Sequence, residues 1–540
     1  MSRPLSRYVS PAGYVRYVRR VVADRRANRF RGAAEAYYRR SRPPVAAENG
    51  RPAIVCEGMW DNPNHFFRLH LMLTALSDTG RAPVIGVLHR RGERRQRRSL
   101  RTLGAREFLY LEHDRIRREQ FDGQARRLLT GVSTHRDLQR LELPHALPAY
   151  IFYDTVLKIA RHPQPPVDSP LWSSVLAEVL RNLAIYDRLF RERRIAAVLT
   201  SHPWKNEFAA LTWLALVHGV PCYYVTGFCE ATRVRRFTTV EDFATPVEHG
   251  TCREFDALPP MARRRVIEYG RAYLAEREQG TSSDINARYA FRRDQRAGDR
   301  VAARRALGID GQRPVAAVFA QVWFDFPHTF AMQNFTDFLD WMRFTIERIA
   351  ETPSVTWVLK PHPCDAWYGG VQLRDMVGAL PPHVHVCPEE TDSLMVQLAA
   401  DVIVTVHGTV GIEAAARGCP ILNADRSHYT EWGFTHVAKS REDYADLLAR
   451  IDSLTPPTQE QRERAMAFAA LALAPPPEAL GLVRTSCDTS DGAFLYQQIA
   501  ERFRRDPVAL ARERQAIGEW LAGRHPSYAA AQTVRWCQRD

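Results

Sequence analysis

The sequence predicts an α/β protein of two doubly wound, Rossmann-like domains, with a helical linker between them and helical segments at both termini. Three observations carry this reading. At 540 residues the chain is too long for one hydrophobic core, and chains of this size divide into domains. Short β-branched apolar runs alternate with stretches of helical periodicity, the pattern of parallel strands covered by helices on both faces. That alternation occurs twice, over 51–253 and over 313–490, on either side of an Arg-rich helical stretch at 254–312.

Residues 1–50 read as a basic helical preface closed by Pro43-Pro44. Its segment 14–40 sets Val15, Val18, Val22 and Phe30 among arginines. Such a helix suits packing on the domain or lying on an anionic membrane surface. Strands are expected at 53–56, 84–88, 195–200 and 221–225. Phe66, Leu69, Leu73 and Leu76 repeat at helical spacing before Gly80, and further helices are expected at 170–194 and 207–218, the latter ended by Gly219. The second half gives strands at 314–320, 355–359, 384–387, 402–406 and 420–422. Ser440-Arg-Glu-Asp443 reads as the capped start of a helix over 442–453, and 491–540 is an Arg-rich helical tail.

Composition narrows the function classes. Apolar residues make up 45% and charged residues 25%, the balance of an ordinary soluble globular chain. No run of about 18 apolar residues suggests a membrane span, and the N-terminus lacks the apolar region of a secretory signal. The nine cysteines form no C-x-x-C pair and read as reduced core thiols of a cytoplasmic protein. The net charge of +14 comes from 71 arginines and only four lysines, at 158, 205, 360 and 439. A lysine that survives among so many arginines hints at a place where a compact point charge is wanted. No zinc-finger, helix-turn-helix or RNA-recognition signature accompanies the charge, so nucleic acid is not an expected partner.

Ligands of open α/β sheets bind at the carboxyl ends of strands, which selects the loops to read. "DVIVTVHGTVGIEAAARGCPIL", 401–422, runs from a buried strand through His407-Gly-Thr-Val-Gly411 into a helix ended by Gly418. Gly408 and Gly411 are expected to let the backbone approach a ligand. The helix start offers free amides to an anion and Thr409 adds a hydroxyl. Glu413, in the first turn, suits sugar hydroxyls or plain complementation of the helix dipole. "WVLKPHPCD", 357–365, ends a buried strand on Lys360-Pro-His362-Pro. Its two prolines stiffen a loop that could aim Lys360 and His362 at a phosphate, or form only a turn. A third loop, "AQVWFDFPHTF", 320–330, places Gln321, Asp325 and His328 at a strand end, with Trp341 expected in the core.

"VFAQVWFDFPH", "WVLKPHP" and "VTVHGTVGIEAAARGCPIL", in this order, resemble bacterial capsule and surface-polysaccharide biosynthesis proteins of the GT-B glycosyltransferase fold. The likeness is clearest over about 314–450 and extends to 51–90 and 195–235. It implies a nucleotide-sugar donor, with the His-Pro pair similar to the phosphate contact of transferases using CMP-activated acidic sugars. His362 and Lys360 would then contact the donor phosphate, Gly408, Thr409 and Gly411 would cradle it, and Glu413 would hold the ribose. The N-terminal domain would bind an oligosaccharide or lipid-linked acceptor, at the inner face of the cytoplasmic membrane, and supply the catalytic group.

The matching loops there are "EGMWDNPNHFFRL", 57–69, and "SHPWKNE", 201–207, whose titratable candidates are Asp61, His65, His202 and Glu207. Asp61 is favoured among them. No D-x-D triplet occurs, so neither a metal nor another cofactor is expected. Competing readings are a polyol-phosphate transferase of teichoic-acid type, a sugar-nucleotide 2-epimerase, and an inactive scaffold of a polysaccharide assembly complex.

Overall fold

The computed structural model describes residues 31–39, 51–76, 82–226, 231–282, 284–292, 297–309, 311–330, 332–365, 371–477 and 492–539. Most of the basic preface, including Val15, Val18, Val22 and Phe30, lies outside them, as do Gly80, Cys229 and Cys487. Two six-stranded sheets organise the chain. The first comprises β1 (Ala53–Glu57), β2 (Val84–Leu88), β3 (Ala105–Tyr110), β4 (Ile195–Thr200), β5 (Cys222–Val225) and β6 (Val234–Phe237). The second comprises β7 (Val315–Phe319), β8 (Thr356–Lys360), β9 (Val384–Val386), β10 (Val402–Thr405), β11 (Ile421–Asn423) and β12 (His436–Val437).

The strand orders are β3-β2-β1-β4-β5-β6 and β12-β11-β10-β7-β8-β9. Renumbered within its own half, the second is the first read from the other end, so both sheets have the doubly wound order with a switch point at the centre. All pairings are parallel except β5 with β6. β1, β2, β7, β8 and β10 are buried along their whole length, as strands covered on both faces must be. The edge strands β3, β6 and β12 were not expected. β3 reads Ala-Arg-Glu-Phe-Leu-Tyr with Arg106 and Glu107 exposed, so it has no apolar run to find.

The Arg-rich stretch between the halves carries the helix Pro260–Glu278. Its Val266, Tyr273 and Leu274 share a core with β7, β10 and the helix Gln459–Phe468. The two helices touch at Gly270, where a Cβ would lie 1.8 Å from the Met466 carbonyl oxygen. The tail forms helices Gly492–Arg505, Pro507–Ala522 and Tyr528–Cys537. Its Tyr496, Ile499, Leu510 and Trp520 pack with Ile54, Cys56 and Phe66, so the end of the chain returns to the first sheet.

Ser440 caps its helix through a bond accepted from the Asp443 amide at 3.1 Å, although that helix ends at Ala449. Trp341 is wholly buried and donates to the Tyr444 hydroxyl at 3.0 Å. The seven described cysteines are free thiols. Among the described residues no helix is long and apolar enough to cross a membrane.

Candidate active site

β7 and β10 are neighbours at the switch point of the second sheet, and a cleft opens over their carboxyl ends. Gln321, Pro361, His362, Ser393, Gln397, Gly408, Thr409 and Glu413 line it. Its volume is about 80 Å³, and it opens to solvent.

The floor is the turn from β10 into the helix Val410–Arg417. The Gly411 amide bonds to the Gly408 carbonyl at 3.0 Å and the Gly408 amide to Thr405 Oγ1 at 3.3 Å. The amides of Thr409 and Val410 have no acceptor among the described residues, which leaves them for an anion at the helix start. The glycines were expected to make room for a ligand; Gly408 lines the cleft, and both also make room for the protein's own side chains. A Cβ on Gly411 would lie 2.4 Å from the Tyr429 hydroxyl, and one on Gly408 2.8 Å from Thr405 Oγ1. The space is used by the protein itself, and Tyr429 in turn donates to the Gly408 carbonyl at 3.0 Å. His407 is a core residue, packed edge-on to Phe330 and Phe338.

The wall is the Lys-Pro-His-Pro turn after β8. His362 Nδ1 accepts the Cys364 amide at 3.2 Å, so the ring proton of the neutral imidazole sits on Nε2. Burial pushes the pKa of His362 down to about 4, with Asp325 opposing and Lys360 adding to the fall. The ring at neutral pH is therefore an uncharged donor in a fixed tautomer. Lys360 does not join it. Its ammonium is wholly buried and donates to the carbonyls of Pro361 at 3.1 Å and Glu389 at 2.7 Å, and burial lowers its pKa. The rare lysine thus braces the turn that aims the histidine.

Glu413 is buried at the cleft's edge, and its Oε1 accepts from Arg277 Nη2 at 2.9 Å and Nε at 3.1 Å. Its Oε2 accepts from Gln397 at 3.2 Å. Arg277 also reaches Asp284 at 2.5 Å and Thr409 Oγ1 at 3.4 Å. This guanidinium, 2% exposed, ties the linker helix to the cleft. It is one arginine among 71 and carried no distinguishing signal in the sequence.

The switch point of the first sheet lies between β1 and β4. Only some of the expected residues meet there. His65 is wholly buried, with Nδ1 3.3 Å from the Val225 carbonyl and Nε2 3.1 Å from that of Glu57, so the ring is held between two carbonyls of the first sheet. Asp61 pairs with Arg31 at 3.0 Å, a partner 30 residues back in the chain that turns it toward the helical coat. Glu207 lies 3.5 Å from His89 within its own domain. His202 remains. Burial, then the charges of Lys205, His65 and Lys158, push its pKa down to about 3.

Lys158 connects the halves. It sits in the helix Ala149–Ala160 and pairs with Asp325 at 2.6 Å, between the rings of Phe324 and Phe326 at 5.6 and 5.5 Å. Phe326 has φ 56°, a left-handed conformation that a bulky side chain adopts only under constraint. Lys158 contributes to the lowered pKa of His202, and Asp325 opposes the fall at His362. One turn back in the same helix, Asp154 holds His328 Nδ1 at 2.7 Å and its amide at 3.1 Å. His328 is thereby an interdomain tie, its pKa raised despite burial by that carboxylate.

Sequence reading missed Lys158 as a site residue, although its rarity was a signal. It also missed Glu57, an acidic residue closing the buried strand β1. Among the described residues no group of three or more His, Cys, Asp or Glu is arranged to hold a metal ion.

No protein-family model and no curated protein matches the chain. Solved structures do resemble it distantly. Thermosulfurimonas dismutans KpsC, a beta Kdo 2,4 transferase, is 13% identical over 51% of this chain and 79% of that one, with a TM-score of 0.32. The UDP-GlcNAc 2-epimerase of Neisseria meningitidis, bound to UDP-GlcNAc, is 10% identical over 84% and 98%, with a TM-score of 0.22. The glycosyltransferase VinC in complex with dTDP is 12% identical over 86% and 99%, with a TM-score of 0.23. Similarity at this level carries no argument about chemistry, which rests on the geometry.

Proposed function

We propose that this protein is a glycosyltransferase that moves a sugar from a nucleotide-activated donor to a growing surface polysaccharide or its lipid-linked precursor. The carrying observation is the anion cradle at the second switch point. There a neutral His362, its ring hydrogen on Nε2, and the start of the 410–417 helix line one cleft. Fixed dipoles of this kind stabilise a departing phosphate without having to reorganise. In this reading the donor's sugar extends toward the Lys158–Asp325 bridge and the acceptor comes from the side of His202. A CMP-linked acidic sugar is the favoured donor, because of the His-Pro resemblance. No metal is assigned a role, and Glu413 reaches the ribose with the acceptor capacity that Arg277 and Gln397 leave on Oε2. The excess of arginine suits a position against the anionic inner face of the cytoplasmic membrane.

The test is to incubate the purified protein with CMP-, UDP- and GDP-sugars and CDP-glycerol, with and without acceptor glycans, and to identify the released nucleotide together with its donor. CMP from a CMP-sugar, dependent on acceptor, is the expected result. CMP from CDP-glycerol alone favours the polyol-phosphate reading, and interconversion of a UDP-sugar without transfer favours an epimerase. Binding without turnover of any donor leaves a scaffold.

A further inference from the structure

We propose that the helix Arg94–Thr102 and the turn before it form a docking surface for an anionic phospholipid bilayer. The surface stands on its own residues, and only its link to a lipid-linked acceptor rests on the glycosyl-transfer reading above.

The first observation is how local the charge is. Residues 90–106 hold eight arginines and one acid, Glu93, a net +7 in a chain whose total is +14. Glu93 is engaged by its own turn, its Oε2 accepting the amides of His89 at 3.0 Å and Arg90 at 3.5 Å. Arg90, Arg91, Arg94, Arg98 and Arg101 are exposed. Of these five, only Arg98 forms an ion pair among the described residues, with Glu35 at 2.7 Å.

The second observation is that the helix breaks the rules of helix electrostatics. Arg94 and Arg95 occupy the first turn, which contains no acid, where the positive end of the helix dipole repels cations. Arg94 and Arg98, and Arg97 and Arg101, stand four residues apart, a spacing at which like charges repel. Tertiary packing imposes the helix nonetheless. Leu100 fills the gap left by two glycines, since a Cβ on Gly58 would lie 2.5 Å from Leu100 Cδ1 and one on Gly86 2.9 Å. Conflicts between local preference and fold collect at functional sites, and anionic groups laid against these arginines relieve this one.

Two features choose the partner. Arg91 lies over the ring of Tyr110 at 5.9 Å and Arg101 over that of Phe108 at 5.8 Å, while the two rings stack on each other at 6.0 Å. Rings so occupied are poor platforms for a sugar or a base, which bind by stacking on open aromatic faces. The large apolar side chains that are exposed, such as Ile159, Val217 and Met261, lie elsewhere. A cationic array without an apolar centre lacks the core of a protein interface and suits the headgroup layer of an anionic bilayer. The turn 89–93 follows β2 at the carboxyl end of the first sheet, and His89 lies 3.5 Å from Glu207. A bilayer on this surface therefore lies beside the 201–207 loop, on the side assigned to the acceptor.

Flotation of the full-length protein tests this, with vesicles of phosphatidylcholine alone or mixed with phosphatidylglycerol. Binding is expected only to the anionic vesicles and should weaken as salt rises. The triple variant Arg90→Gln, Arg91→Gln, Arg94→Gln should bind about 10²-fold more weakly, each arginine near an anionic surface being worth roughly fivefold. Its melting temperature without lipid should match or exceed that of wild type, because like-charge repulsion goes with the arginines, whereas a structural role for them would lower it. A control with the same loss of charge at exposed sites elsewhere, Arg253→Gln, Arg264→Gln, Arg271→Gln, should bind as wild type does. Wild-type protein that ignores the anionic vesicles overturns the proposal. Equal losses in the two triple variants also overturn it, by assigning binding to net charge alone. A soluble acidic polysaccharide whose binding the first variant loses, while its vesicle binding persists, overturns it in favour of a glycan. No arm needs a donor or turnover, so a protein that binds vesicles through this surface yet transfers no sugar overturns the proposed function and leaves the surface standing.

Discussion

Replacing Glu413 by alanine separates a residue that holds substrate from one that holds the fold. Arg277 is 2% exposed, and it faces Glu413 at 2.9 Å and Asp284 at 2.5 Å. At 2.9 Å two unit charges attract by about 6 kcal/mol for an effective dielectric constant of about 20. Most of that offsets the desolvation of both ions. Removing one partner leaves the other buried charge uncompensated, which costs roughly 3–5 kcal/mol. Asp284 stays beside Arg277, so the lower end applies, about 3 kcal/mol. For a domain of about 150–250 residues each kcal/mol moves Tm by about 2–4 °C, giving a drop of about 6–12 °C. Glu413→Gln keeps an oxygen facing the guanidinium and should fall between alanine and wild type. The double variant Arg277→Met, Glu413→Leu removes both charges and should return to within about 1 kcal/mol of wild type, as apolar replacement of buried pairs tends to do. Urea unfolding followed by the tryptophan signal of the second domain measures all three. A Glu413→Ala protein within 1 kcal/mol of wild type refutes the reasoning and returns Glu413 to a purely ligand-binding role.

The cradle makes its own demands. His362→Ala should weaken nucleotide binding by roughly 10- to 150-fold, the worth of a lost bond to a charged group at about 1.5–3 kcal/mol, and calorimetry on the folded variant checks it. An anionic phosphate raises the pKa of His362 above its free value of about 4, so the complex holds more proton than the free protein. Affinity for a nucleotide phosphodiester, whose own charge is constant, should therefore rise as pH falls from 7 toward 5. Binding heats in two buffers of different ionisation enthalpy should show proton uptake, absent in His362→Ala. At the linker, Gly270→Ala should strongly destabilise the second domain, because its Cβ would fall 1.8 Å from the Met466 carbonyl. Gly250→Ala, with nothing within 4 Å, should leave the melting curve nearly unchanged.

What the sequence made legible, and what it hid, follows from the range of the interactions. Periodicity is local, so buried central strands such as β7, β8 and β10 are readable. Edge strands such as β3 and β6 are not, because nothing requires their residues to be apolar. The rule that ligands gather at strand ends is equally local, and it found the loops after β1, β4, β7, β8 and β10. Which side chain in a loop faces the cleft is decided by partners far away in sequence. Lys360 is drawn inward by the Glu389 carbonyl, 29 residues on. Glu413 is held by Arg277, 136 residues back, and His65 by the Val225 carbonyl, 160 residues on.

The same reasoning explains why Asp61 looked better than Glu57. In sequence Asp61 sits on a polar turn while Glu57 looks like the last residue of a buried strand. Yet a carboxylate that ends a parallel strand at a switch point can reach across to the neighbouring strand, and Glu57 does so, meeting Ser201 at the end of β4. A buried charge is tolerated only where donors surround it, and the amides of Met59, Trp60 and Ser201 do so at Glu57. The buried acid thus ties the end of β1 to the end of β4, beside His202, whose Nδ1 lies 2.8 Å from the Ser201 hydroxyl. An exposed acid such as Asp61, tied by one arginine and open to water, exerts no such constraint.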